Sequence, residues 1–295
     1  MAGALKEVRN RIKSVQSTQQ ITKAMKMVSA AKLRRAQDAI IQMRPYARKL
    51  QEMLSNIVSN TDGDTSADLA VERAVEKVLL IVISSDRGLC GAYNANVIKL
   101  ARAVVQEKYA QQFAKGNITI WPIGKKAFDA FERSGGYHLS ATYRDIFHSL
   151  SFEHVQQVAQ AAITAFAKKE FDAVDVVYSE FRNAATQAFT AERFLPIPKV
   201  ENKDGKATRA DFIFEPGKET LIAELMPKIL NTQLFKAVLD ANASEHGARM
   251  TAMDKASENA NELLKSLRIS YNRARQAAIT TELTEIVSGA AALQG

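Results

Sequence analysis

A glycine-containing loop, Ser85-Asp86-Arg87-Gly88-Leu89-Cys90-Gly91, follows the apolar run Val78 to Ser84. Such a loop after a first strand can cradle a phosphate. Neither GxGxxG nor GxxxxGK[ST] is completed, and Gly124-Lys125-Lys126 after the next strand-like run supplies only half of a P-loop. Tight turns account for these glycines more simply. Cys90, the one cysteine, has no CxxC mate and no fixed base beside it, and reads as a buried structural thiol. His138, His148, His154 and His246 form no HExxH and have no cysteine companions, so no metal ligand set emerges. No Ser or Cys nucleophile motif is present. The remaining chemistry lies near the C-terminus. Arg275 can clamp a carboxylate through two parallel hydrogen bonds, and Gln276 can both donate and accept. The simpler reading of that pair is a solvated helix face.

The elements that would carry these residues begin with charge. The chain has 295 residues, 40 Lys and Arg against 32 Asp and Glu, a net +8, and 46% of residues of the hydrophobic set. That excludes disorder and low-complexity repeats. A single cysteine excludes a disulfide framework and fits a reducing compartment. No apolar run is long enough for a membrane span, and the start reads as neither signal nor transit peptide. Residues 1–50 carry twelve Lys and Arg against two acids, Glu7 and Asp38, whereas 218–295 balance. A field concentrated in one segment implies an acidic partner: nucleic acid, an anionic membrane surface or an acidic protein patch.

That basic segment has heptad spacing. Leu5, Val8, Ile12 and Val15, then Leu33, Ala36, Ile40, Met43, Ala47, Leu50, Leu54 and Ile57, step by three and four. Between the blocks the frame continues through polar Gln19, Thr22, Lys26 and Ser29. There, Ile21, Met25 and Val28 form an apolar stripe on another face. Two readings stand: a local register adjustment, or a second partner. Pro45 is expected to cost one backbone hydrogen bond. The C-terminal region repeats the pattern from Leu239 through Ala243, His246, Met250, Met253, Ser257, Ala260, Leu264, Leu267, Tyr271, Ala274 and Ala278 to Thr281. The helix is expected from Lys218 to Ala292, with Pro227 as a kink or late start. Neither helix is stable alone in water. One antiparallel intramolecular coiled coil pairs them economically, with the longer C-terminal helix projecting; homodimerisation is the rival. At its end, Leu283, Ile286, Val287, Ala290 to Ala292 and Leu293 are apolar on nearly all sides, which suits a socket in another protein.

Between the helices lies a polar linker, 60–68, and then alternating patterns. Strands are expected at Val78–Ser84, Ile118–Ile123, Ala173–Phe181 and Thr186–Leu195. Helices are expected at Asn94–Ala110, Lys125–Arg133 and Phe152–Lys169. A turn-rich loop around Pro196, Pro198 and 202–205 closes the region. The alternation argues a mostly parallel sheet with flanking helices. The fold class is therefore mixed α+β and α/β: a long antiparallel coiled coil of N- and C-terminal helices plus a small central Rossmann-like domain. The expected regions are 1–60, 75–200 and 215–295.

Three blocks, Ile12 to Val28, Ser84 to Asn94 and Ile279 to Ala290, resemble the γ subunits of F-type ATP synthases, and the likeness extends over the whole chain. The resemblance implies a rotating shaft. Its coiled coil would fill the axis of a ring of three α and three β subunits, and its α/β part would be a foot that, with ε, sits on the membrane c-ring. Ion flow would turn the shaft and drive the β sites through different affinities. Catalysis, nucleotide and Mg²⁺ would belong to α and β, leaving γ a non-catalytic subunit without cofactors. Arg275 and Gln276 match the pair that engages the catch loop of β. Thr280, Glu282 and Glu285 match a segment that tunes coupling. Met25 matches the position facing the β lever, which favours the second-partner reading of 19–29, with Lys26 beside it. The implied location is peripheral, on the cytoplasmic side of a bacterial inner membrane, touching the membrane only through the c-ring.

Two rivals come from other classes. A basic coiled coil could bind nucleic acid, since Lys23–Arg35 precedes heptads as in a basic zipper. Against it, both seam halves are in one chain, an α/β region separates them, and the basic helix lacks a base-reading face. A nucleotide-binding enzyme in the middle region would require the isolated chain to bind nucleotide, and none is expected to bind.

Overall fold

The computed structural model describes residues 2–59, 69, 71–184, 186–197 and 218–294. Helix α1 (Ala2–Ser59) is continuous through Pro45, and helix α6 (Lys218–Gln294) is continuous through Pro227, so Pro227 marks no late start. The expected linker at 60–68 and the loop beyond Ile197 lie outside the described residues, as do the side chains of Leu54, Ile57 and Leu293. The chain forms two compact units, Met1–Ser29 with Arg249–Gly295, and Ala30–Ala248, and each long helix contributes a segment to both.

The second unit is built on a five-stranded sheet. Its strands are β1 (Val78–Ile83), β2 (Ile118–Ile123), β3 (His138–Leu139), β4 (Ala173–Phe181) and β5 (Gln187–Leu195), ordered β3-β2-β1-β4-β5. β1 pairs in parallel with β2, Val78 opposite Ile118, and with β4, Val78 opposite Ala173. β5 runs antiparallel to β4. The mostly parallel expectation holds for the other strands. β5 departs because a tight turn, in which the Thr186 amide donates to Asn183 Oδ1 at 2.7 Å, is too short for a crossover. β3 went unforeseen because two residues carry no alternation signal.

Helices α2 (Tyr93–Lys108), α3 (Ala110–Ala114), α4 (Lys125–Ser134) and α5 (Phe152–Ala167) flank the sheet. β1 is buried on both faces, which explains its unbroken apolar run. Leu79, Ile81 and Ile83 pack with α5 and with Met226, Leu230, Leu234 and Val238 of α6. Val78, Leu80 and Val82 pack with Tyr93, Val97 and Ala101 of α2 and Phe131 of α4. The first half of α6 thus covers one sheet face in addition to carrying the heptad frame.

One buried polar set inside this unit is closed. Buried Asp175 accepts from Arg193 Nε at 2.6 Å and from the Tyr109 hydroxyl at 2.8 Å, while Arg193 also donates to that hydroxyl at 2.9 Å. Burial, and then the Asp175 anion, push the Tyr109 hydroxyl well above its ordinary range.

Candidate functional site

The glycine loop after β1 is bonded to its own surroundings. Asn94 Oδ1 accepts the Ser85 amide at 3.0 Å, Ser84 Oγ accepts the Ala127 amide at 2.8 Å, and Asp86 Oδ1 accepts the Lys125 amide at 3.2 Å. Amides that could have held phosphate oxygens, including those opening α4, thus already have acceptors. Gly124 sits at φ 103°, where an added Cβ would lie 2.4 Å from the Ser84 carbonyl oxygen. Its role is this close approach, as the turn reading expected. Cys90 is buried, with Asn94 Nδ2 at 3.2 Å from its sulfur.

The paired segments of the first unit offer a different kind of site. Arg9 donates to the Tyr271 hydroxyl at 2.8 Å and lies over its ring. Thr22 Oγ1 and Ser257 Oγ lie 2.7 Å apart, and Lys26 Nζ reaches Asp254 Oδ1 at 2.5 Å. Going up α1 from 9 to 22 to 26 runs down α6 from 271 to 257 to 254. The pairing is therefore antiparallel and holds one register. Thr22 and Ser29 are buried in the seam. Gln19 and Lys26 of the same frame are half-buried, so the polar frame keeps facing the seam, and the 19–29 segment contains no register adjustment.

That register turns other side chains outward. Ile21 and Val28 are each 57% exposed, Met27 is exposed, and Met25 is half-buried. Lys26, expected at a partner contact, is half-buried and paired within the chain to Asp254. Sequence reasoning named both Thr22 and Ser257 as seam residues without joining them. A heptad frame gives the inward face of each helix and leaves the register between the two open.

With Tyr271 opposite Arg9, α6 continues roughly 16 residues past the start of α1, roughly 24 Å at the helical rise. On this length Thr280, Glu282 and Glu285 are exposed, and Arg275 and Gln276, just before it, are exposed as well. The Thr280 hydroxyl donates to the Gln276 backbone carbonyl at 3.0 Å, and Gln276 itself is exposed. Ile279, Leu283, Ile286 and Val287, spaced i, i+4, i+7 and i+8, are 49% to 68% exposed. They form one apolar stripe beside a guanidinium and an amide. Full burial of such side chains contributes roughly 1.5–3 kcal/mol each, so the stripe can supply substantial binding energy to a socket that covers it. Among the described residues no three His, Cys, Asp or Glu side chains gather as a metal site, and no helix is long and apolar enough to cross a membrane.

Known proteins share this sequence and fold. A family profile described as ATP synthase matches residues 4–293. An ATP synthase gamma chain of Cytophaga hutchinsonii is 50% identical over 292 residues, covering 98% of this chain and 99% of the relative. One from Chlorobium phaeobacteroides is likewise 50% identical over 292 residues, covering 99% of each. Among solved structures, a chain of the Euglena gracilis mitochondrial ATP synthase (OSCP/F1/c-ring) superposes with a TM-score of 0.70 at 24% identity, over 99% of this chain and 95% of that one. A chain of the Tetrahymena thermophila central stalk and c-ring superposes with a TM-score of 0.57 at 22% identity, over 80% and 99%. At those identities the solved structures speak for the fold alone.

Proposed function

The chain belongs to the family of ATP synthase γ chains, and from that premise we propose that it acts as the central rotor shaft of the complex, carrying torque without an active site of its own. The observation that carries this reading is the projecting end of α6, where Ile279, Leu283, Ile286 and Val287 lie bare beside Arg275 and Gln276. A water-exposed apolar stripe at the end of a two-helix seam suits a tip seated in an apolar bearing of another protein.

In this reading the coiled coil, 1–60 with 215–295, stands in the axis of the α and β subunits. Region 75–200 is the foot, in contact with ε and the c-ring. Arg275 and Gln276 hold an acidic loop of β, with Thr280, Glu282 and Glu285 tuning the grip. Met25, beside the exposed Ile21 and Val28, faces the β lever, with Lys26 at the edge of that contact. Rotation presents a different face of the shaft to each β subunit and changes its nucleotide affinity, a coupling carried by a rigid element. Catalysis and nucleotide binding stay on the neighbouring subunits. The shaft sits on the cytoplasmic side of the inner membrane and touches it only through the c-ring.

Reconstitution with α and β tests the reading. A co-eluting complex is expected whose ATPase depends on this chain and changes with Arg275→Ala/Gln276→Ala. A complex indifferent to the double substitution removes the proposed grip and keeps the shaft. Failure of the folded chain to assemble removes the shaft reading, and salt-dependent binding to duplex DNA then becomes the measurement that matters.

A further inference from the structure

Asp240 lies on α6 inside the unit Ala30–Ala248, and its side chain is 1% exposed. Neither carboxylate oxygen has a hydrogen-bond partner among the described residues. A terminal nitrogen of Arg44, on α1, stands 3.8 Å from Asp240 Oδ1 and donates to the Phe181 carbonyl at 3.1 Å. Phe181 is the last residue of β4. One half-exposed guanidinium therefore ties α1 to β4 by a hydrogen bond and to α6 by charge alone. A buried carboxylate with no hydrogen bond is costly as an anion. The cation facing it already has a path to water.

We propose that Arg44 and Asp240 form a proton-responsive latch, which holds α1 against the end of β4 while Asp240 is ionised and lets it go when Asp240 takes up a proton. One proton from solvent adds to a carboxylate oxygen. The carboxyl becomes neutral and stays buried, so losing the Arg44 charge no longer costs it anything, and Arg44 stays charged and turns to water. The charged and titratable groups acting on Asp240 come from all three elements: Arg44 on α1, Glu180 and the Tyr178 hydroxyl on β4, and Lys236 on α6 itself. Burial pushes the Asp240 carboxyl up to about 6, against the pull of Lys236 and then Arg44 and with a further push from Glu180. The nearby Phe181 amide also favours the anion without making a hydrogen bond to either oxygen. The latch thus works in mildly acidic to neutral conditions. It stands apart from the rotor reading, because it is measured on the chain itself.

Hydrogen exchange read by mass spectrometry on the full chain, at pH 7.5 and 5.5 and corrected for intrinsic rate, tests it. Wild-type peptides covering 38–48 are expected to exchange roughly twentyfold faster at pH 5.5, following the rise in the neutral fraction. Peptides from β1 should not change. Asp240→Asn should exchange fast at both pH values, and Arg44→Gln, at a half-exposed site that tolerates substitution, should do the same. Asp240→Glu should restore the step. Equal wild-type protection at both pH values overturns the latch. So does a step that persists in Asp240→Asn or Arg44→Gln, or one that appears equally in β1.

Discussion

The two ends of α6 are made of similar residues and stand in opposite surroundings. Near its start, Met226, Leu230, Leu234 and Val238 are each at most 3% exposed and form part of the sheet's core. Near its end, Ile279, Leu283, Ile286 and Val287 are about half exposed or more. The same helical spacing therefore does two jobs. At one end it stabilises the fold, and at the other it stands exposed, where the proposed shaft would meet its bearing. Between them lies the segment 253–271, where small and polar residues face a paired helix.

Substitutions at the two ends should separate most widely. Leu234→Ala removes a fully buried side chain and is expected to cost about 2–5 kcal/mol, read as a lower urea midpoint for the chain. Leu283→Ala should leave that midpoint within about 0.5 kcal/mol while weakening co-elution with α and β. Similar losses of stability at both sites would mean that the tip is packed within the chain after all.

Asp240→Asn sharpens the picture at the buried end. The carboxyl titrates near 6 in the folded chain against an ordinary value of 3.8. A raised acid binds its proton more tightly when folded, so its contribution to stability is full below about pH 4 and is lost as pH rises through about 6. The amide removes that loss, so the variant should be about 1–3 kcal/mol more stable at pH 7.5, with no advantage at pH 4. Urea midpoints across that range check it. Higher global stability together with faster local exchange near Arg44 is a combination that no purely structural role produces.

In the middle of α6 the effects shrink. Ser257 Oγ also donates to Met253 O at 2.8 Å and Thr22 Oγ1 to Gln19 O at 3.0 Å, so two hydroxyl protons serve three contacts. Thr22→Val or Ser257→Ala alone should cost about 1 kcal/mol, and the pair less than the sum, as a double-mutant cycle on thermal midpoints would reveal. Smallest is Lys26–Asp254, both groups being over 40% exposed. Lys26→Ala should cost under about 1 kcal/mol, and less still at high salt. A larger, salt-insensitive loss would mean that the seam depends on charge more than on packing.

How far the chain was legible follows from the range of each interaction. The heptad frame from Leu239 to Thr281 faces inward in the structure, with Leu239, Ala243, Met253, Ser257, Ala260, Leu264 and Leu267 buried and the rest partly covered. Helical period is a local property, so spacing alone revealed it. The unbroken run at β1 announced a doubly covered strand for the same reason. The residue types of the proposed site, Arg275 and Gln276 beside an apolar stripe, were visible in the sequence, and the exposure of Ile279, Leu283, Ile286 and Val287 agrees with the projecting end inferred from unequal helix lengths.

Spacing could not reveal which distant groups meet. Lys26 could be read as a free cation until Asp254, 228 residues away, stood beside it. Asp240 looked like any acid on a charged helix until Arg44 and the end of β4 closed over it. The antiparallel β5, the two-residue β3 and the packing of the first half of α6 on the sheet are likewise matters of long-range contact. Period, charge balance and helix length are properties of neighbours in the chain, and the sequence by itself determined them. Burial and pairing between residues far apart come from the packing of whole elements, and only the tertiary structure decided those.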